Sequence, residues 1–150
     1  MKFRQAAFKD IDMMAEIRLS VVENALSDPS KITRKMYEDY LDRRGRGWVC
    51  ELDKKVVGFS YADREVNSIW ALFVLPEYEG IGVGKGLIQL ATCWLFDLGA
   101  KKVTLDTEAN TRADIFYKSQ GWTREGMKNE HEVTYSLLCA HMPNKWMSRD

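Results

Sequence analysis

Residues Glu79–Gly86 read E-G-I-G-V-G-K-G, and four of these eight positions are glycine. Glycines at this density let bare backbone N–H groups approach a ligand, because no Cβ stands in the way. A long amphipathic helix pattern starts where they end. A helix start presents N–H donors ahead of its hydrogen-bond ladder and a partial positive charge of about 0.5 e. Glycines and helix start together make an anion cradle, best suited to a phosphate or pyrophosphate. A helix-entry turn that binds nothing would need one or two glycines.

Two well-known phosphate loops can be tested against the run. A dinucleotide fingerprint needs G-x-G-x-x-G. Read from Gly80, Gly82 or Gly84, its third glycine falls on Lys85, Leu87 or Gln89, so all three registers fail. A Walker A loop needs G-x-x-x-x-G-K-[ST]. Gly84-Lys85 fits its end, but Glu79 occupies the first glycine position and Gly86 replaces the magnesium-binding hydroxyl.

The elements around the run follow from spacing. Phe3–Ala6 reads as a short strand. Asp10 can cap a helix through Ile11, Met14, Ile17, Leu19 and Val22. Asp28-Pro29-Ser30 breaks the chain, and Thr33, Tyr37, Tyr40 and Leu41 suggest a second helix closing near Gly45. Trp48–Leu52 and Val56–Tyr61 are strands around an Asp53-Lys54 hairpin turn. Ser68–Leu75 is almost continuously apolar, as a strand covered on both faces would be, and Pro76 ends it. Leu87, Ile88, Leu90, Ala91, Trp94, Leu95 and Leu98 follow helical spacing, with Gly99 at the C-terminal cap. Lys102–Thr107 is a strand, Thr111–Ser119 a helix that stops at Gly121, and Trp122–Met127 with Val133–Leu138 a final hairpin. The order is β-α-α-β-β-β-α-β-α-β-β, an α+β chain. Residues 1–150 read as one domain, with Cys139–Asp150 as a terminal tail that is either mobile or docked through Trp146.

With this order in place, the residues resemble the GNAT superfamily of acyl-CoA-dependent N-acetyltransferases. The pyrophosphate loop of that family, [RQ]-x-x-G-x-[GA], lies between a central strand and a helix. Glu79-Gly80-Ile81-Gly82-Val83-Gly84 holds that place, after Phe73-Val74-Leu75-Pro76-Glu77-Tyr78 as strand end and turn. A second segment, Asn110 to Trp122, fits the family's N-x-x-A-x-x-x-Y-x-x-x-G-[FW] through Asn110, Ala113, Tyr117, Gly121 and Trp122. One departure stands out: Glu79 occupies a position that is usually Arg or Gln.

The resemblance implies a mixed, mostly antiparallel, splayed sheet flanked by helices, and acetyl-CoA as cosubstrate with no metal. It implies that Leu72, Phe73 and Val74 lie along the pantetheine arm. A backbone N–H near Phe73 or Val74 would face the thioester oxygen. Gly80, Ile81, Gly82, Val83, Gly84 and Lys85 would offer N–H groups to the pyrophosphate, with the Glu79 side chain turned to solvent and its N–H still usable. Asn110 matches a pantetheine contact. Tyr117 matches the acid that protonates the leaving thiolate, and a phenol of pKa about 10 holds its proton at neutral pH. The base is open among Glu108, Asp106, Glu23, Glu132 and His131, with Glu108 at the end of its strand placed first. Val22–Pro29 and the last hairpin would border the acceptor, with Glu23, Asn24 and Asp28 attracting a cationic amine and Trp70, Tyr135 and Trp122 as walls.

Composition narrows the partners. Lys+Arg and Asp+Glu balance at 22 each, so no basic face for nucleic acid is expected. Apolar residues make up 45%, enough for a core, yet no run approaches the ~20 needed to span a membrane. The N-terminus lacks a signal-peptide core. Cys50, Cys93 and Cys139 form no metal-binding spacing and fit free thiols in a reducing cytoplasm. The expected function is direct acetyl transfer to a primary amine on a small molecule or peptide, with a homodimer as the common assembly of such folds. The alternative is a noncatalytic CoA-binding sensor or assembly module.

Overall fold

Asp53 and Lys54 adopt φ values of +51° and +67°, the pair of left-handed conformations that a type I′ turn requires. The turn joins β2 (Gly45–Leu52) to β3 (Lys55–Asp63) as the expected hairpin. A computed structural model describes residues 1–21, 34–143 and 146. Val22–Pro29, and with it Glu23, Asn24 and Asp28, lies outside the described residues, as do Ser30 and Thr33. The chain forms two compact units, Met1–Ala91 and Thr92–Asp150, and their boundary falls inside one helix.

In the first unit, β1 (Lys2–Gln5), β2, β3 and β4 (Ser68–Val74) pair in that order, each antiparallel to the next. Helices α1 (Ile11–Val21) and α2 (Arg34–Asp42) pack on one face of this sheet. Ile11, Met14 and Ile17 are the buried stripe of α1, whereas Leu19, expected on that stripe, is 55% exposed. Asp10 does not cap α1. Its carboxylate accepts the Ala7 N–H at 2.8 Å across a 3-10 turn, Phe8–Asp10, and both of its oxygens meet the Arg4 guanidinium at 2.8 Å. Arg4 also bonds Glu51 at 2.7 Å, so one side chain ties β1 to β2 and to the entry of α1. The hydrogen bonds from Arg4 hold the Asp10 carboxyl below its usual range.

Helix α3 (Val83–Asp97) lies on the other face. Gly58 and Ser60 of β3 meet it: the Ser60 hydroxyl donates to Leu87 O at 3.0 Å, and a Cβ at Gly58 would stand 3.0 Å from Val83. A Cβ at Gly86 would stand 2.4 Å from the Phe3 ring, so that glycine exists to let β1 and α3 touch. The ladder between β3 and β4 slips at Tyr61/Ala62, which leaves Trp70 as an extra, bulged residue of β4.

In the second unit, β5 (Lys102–Glu108) pairs along its whole length with β7 (Glu132–Leu138), and β6 (Thr123–Met127) pairs with the other edge of β7, all antiparallel. Gly99, at φ +106°, ends α3 in a Schellman motif: Ala100 N–H reaches Leu95 O at 3.1 Å and Gly99 N–H reaches Phe96 O at 2.9 Å. Helix α4 (Arg112–Ser119) is capped by Thr111, whose hydroxyl oxygen accepts the Asp114 N–H at 3.4 Å. A 3-10 turn at Cys139–His141 follows β7, and Trp146 is buried. Among the described residues no helix is long and apolar enough to cross a membrane.

The contact between Phe3 and Gly86 has a direct test. Gly86→Ala is expected to lower stability by about 1–3 kcal/mol, the usual range for overpacking a tight core. A thermal melt reads this as a drop of several degrees.

Candidate active site

The chain after β4 runs through a 3-10 turn, Pro76–Tyr78, into the glycine run. Gly80 and Gly82 take φ values of +79° and +99°. A Cβ at Gly82 would meet nothing closer than Met1 at 3.9 Å, so this glycine serves backbone conformation and not packing. The first ladder bond of α3 is Gly86 N–H to Gly82 O at 3.1 Å. The amides of Val83, Gly84 and Lys85 therefore precede the ladder and lie at the positive end of the helix. The sequence reading of the run is corrected in two places. Gly86 belongs to the Phe3 contact. The Glu79 N–H is engaged with Pro76 O at 3.3 Å, and the residue is half-buried.

The register of β4 decides which of its amides face β3. Leu75 N–H bonds Val57 O at 2.9 Å, and Phe73 stands opposite Phe59, two residues along each strand. Antiparallel alternation then directs the N–H and C=O of Phe73 at β3, and those of Leu72 and Val74 away from it. Of the two oxyanion candidates, Val74 carries the amide that points away from the ladder. Trp70, expected to wall the acceptor, stands half-buried on the α1 and α2 face, with its ring 5.2 Å from Tyr61 and 5.7 Å from Tyr37.

In the second unit, Asn110 takes φ +62° between β5 and α4 and is exposed, so a turn demand and a ligand-contact role coincide at one residue. Tyr117 is 6% exposed and packs against Phe116, Trp122 and Tyr135 at centroid distances of 5.2, 6.1 and 5.8 Å. Burial pushes its phenol pKa up, so the proton stays on oxygen throughout the physiological range. The indole N–H of neighbouring Trp122 is buried without a hydrogen-bond partner among the described residues.

Asp114 organises this region, and the sequence reading did not single it out. Its carboxylate accepts the Asn110 N–H at 2.9 Å, Arg124 Nε and Nη2 at 3.2 and 3.3 Å, and the Tyr135 hydroxyl. Arg124, then Tyr135 and the Asn110 amide, lower its pKa to about 2. A T-x-x-D pattern, Thr111 to Asp114, was the available signal, since it is a capping-box variant. A cavity of about 540 Å³ opens beside these residues, lined by Asn110, Thr111, Asp114, Lys118, Arg124 and Tyr135, among others.

The candidate bases differ in circumstance. Asp106 is held by Lys128 at 2.7 Å and Thr134 at 2.6 Å. Burial works upward on its pKa, but those two bonds prevail and lower it. A carboxylate so engaged is a poor proton acceptor. Glu132 accepts from the Asn129 side chain at 3.1 Å within a turn, and His131 is exposed. Glu108 ends β5 directly opposite Glu132 and is exposed. Strand alternation places Asp106 and Glu108 on one face of the β5–β7 ladder and Leu105 with Tyr135, against which Tyr117 packs, on the other. Among the described residues no group of three or more His, Cys, Asp or Glu side chains is assembled as a metal site.

Residues 11–122 match the model of the acetyltransferase (GNAT) family, and the chain belongs to that family. It is 30% identical over 139 residues to an uncharacterized N-acetyltransferase of Archaeoglobus fulgidus, a match covering 83% of this chain and 94% of that one. It is also 30% identical over 105 residues to mycothiol acetyltransferase of Pseudarthrobacter chlorophenolicus, covering 64% of this chain; here the match spans only 32% of the relative's length. In fold it is similar to the PaiA N-acetyltransferase of Thermoplasma acidophilum solved in complex with coenzyme A, with a TM-score of 0.80 and 15% identity over 91% of this chain and 98% of that one.

The Asp114 network sets an acid limit. A carboxyl with a lowered folded-state pKa contributes stability that is present above its unfolded pKa and lost as pH falls through the folded value. For Asp114 that window runs from 3.8 down to about 2. Asp114→Asn is expected to cost about 1–3 kcal/mol at neutral pH. It should also flatten the fall in stability across the acid window, as denaturant melts at stepped pH will read.

Proposed function

We propose that the chain is an acetyl-CoA-dependent N-acetyltransferase that moves acetyl directly from the thioester to a primary amine of a small molecule or peptide. The observation that carries this reading is the turn at Gly80 and Gly82, which delivers the Val83, Gly84 and Lys85 amides at the start of α3. That is a pyrophosphate cradle, and it directly follows a strand whose Leu72 and Val74 amides point away from β3. The family match, residues 11–122, takes in both compact units and supports one N-acetyltransferase domain. The free thiols Cys50, Cys93 and Cys139 support a reducing cytoplasm as its compartment.

Acetyl-CoA supplies an activated acyl group and a leaving thiolate. In this reading the amides of Leu72 and Val74 hold the pantetheine arm as an added strand would be held, and the Val74 N–H donates to the carbonyl oxygen as negative charge develops there. Ile81 to Lys85 hold the pyrophosphate, and Asn110 contacts the arm. Glu108 takes a proton from the ammonium form of the acceptor, directly or through water, which frees the nitrogen lone pair. The N–C bond forms and the C–S bond breaks; the Tyr117 hydroxyl gives its proton to sulfur and regains one, directly or through water, from the nitrogen as it loses its second proton to become the amide, while Glu108 returns its own proton to solvent. The raised pKa of Tyr117 keeps that proton available on every turnover.

A noncatalytic CoA-binding module would share the cradle but release no thiol. Acetyl-CoA at about a hundredfold over its Kd should stabilise the protein by about 2.7 kcal/mol, visible as a raised Tm. A panel of primary amines with thiol detection then separates enzyme from sensor: turnover with at least one amine is expected. Binding without any turnover would favour the sensor, and no binding would refute both. Tyr117→Phe should lower kcat about a hundredfold while leaving the KM for acetyl-CoA little changed.

A further inference from the structure

The sequence leaves the acceptor open among amino acids, polyamines, aminoglycosides and protein N-termini. One side chain of α1 separates these classes. The Arg18 guanidinium sits 5.9 Å above the Trp70 ring and 5.3 Å above the Phe73 ring, on the face of β4 opposite α3. Arg18 is half-buried, and among the described residues it makes no ion pair and donates to no protein oxygen. A guanidinium stacked on aromatic faces keeps its planar fork of N–H donors free for an in-plane partner. Beside it is a second unsatisfied group. Tyr37 is 2% exposed, its ring packs edge-on against Trp70, and its hydroxyl has no hydrogen-bond partner among the described residues. A buried hydroxyl without a partner costs about 1–3 kcal/mol, a cost that a ligand oxygen would remove.

We infer that the acceptor amine belongs to a molecule that carries a carboxylate, and that Arg18 is the residue that selects it. The inference rests on the N-acetyltransferase reading and deepens it. The coenzyme cradle is on the α3 side of β4. A nucleophile must reach the carbonyl carbon from a direction that the coenzyme does not fill, and the opposite face of β4, where the bulged Trp70 packs against Tyr37 and Tyr61, is such a direction. An amine arriving there meets a stacked cation before it meets any acyl group. Arg18 offers a carboxylate two parallel N–H donors, the geometry for which a guanidinium is suited. The Tyr37 hydroxyl is available to the same anion or to water bound with it. The apolar faces of Trp70 and Phe73 favour an acceptor with an apolar body. A polyamine brings only positive charge to a guanidinium that has no ion pair among the described residues, and is disfavoured there. A molecule with both an amine and a carboxylate, such as an amino acid or a short peptide's terminal residue, fits the charge.

The test compares acids with their neutral carboxamides. N-acetyl amino acids and the matching carboxamides are titrated calorimetrically into the CoA-loaded protein, and α-amino acids, their carboxamides and polyamines are compared as acceptors by thiol release. The expected result is roughly ten- to hundredfold preference for the acid over its amide, the range for hydrogen bonds to a charged group. Arg18→Gln should collapse that ratio toward one, and Arg18→Lys should retain part of it as a point charge. Equal binding of acid and amide by the wild type, binding of neither, or a preference for polyamines would overturn the inference. The wild-type comparison stands even if an Arg18 variant does not fold. Failure of CoA loading would instead strike the parent reading, so the two failures are distinguishable.

Discussion

The close approach of α3 to the first sheet is the constraint on which the remaining features depend. Two glycines permit it, Gly58 beneath Val83 and Leu87, and Gly86 beneath Phe3. The Ser60 hydroxyl locks it by donating to Leu87 O at 3.0 Å. A helix so held has a fixed N-terminus, and its leading amides cannot drift from the strand that precedes them. The positive φ values of Gly80 and Gly82 then bring the chain from the end of β4 into the helix in a few residues. Remove the packing and the leading amides of α3 lose their pre-organisation.

The second unit is arranged by charge where the first is arranged by packing. Asp114 gathers the Asn110 amide, Arg124 and Tyr135 around one carboxylate, so the turn before α4, the edge strand β6 and the central strand β7 share an anchor. Tyr117 stands in the aromatic layer beside it, and its raised pKa follows from burial. On the other face of β5, Lys128 and Thr134 engage the Asp106 carboxylate.

Much of this was legible in the sequence because local signals were strong. The Asp53-Lys54 turn, the Gly99 cap and the apolar run of β4 each announce one conformation, and the element order followed. The glycine run was legible as a cradle but not in its division of labour, since nothing local tells that Gly86 faces Phe3, eighty-three residues earlier. Asp10 read as a helix cap because the pattern fits; Arg4 engages it instead, through a tertiary contact. Asp114 and Arg18 escaped notice for the same reason. A charged residue on a helix is ordinarily solvated, and only the fold reveals that one is enclosed by donors and the other laid over two aromatic rings.

The chain belongs to the GNAT family, and we propose that the turn at Gly80 and Gly82 takes a pyrophosphate. Titration calorimetry with coenzyme A and with pantetheine, which lacks the pyrophosphate and nucleotide, addresses it most directly. The account predicts saturable binding of coenzyme A and at least roughly tenfold weaker binding of pantetheine, the loss expected when charge-assisted bonds to the loop amides are removed. Equal affinity for the two, or no saturable binding of coenzyme A by the folded protein, would contradict it.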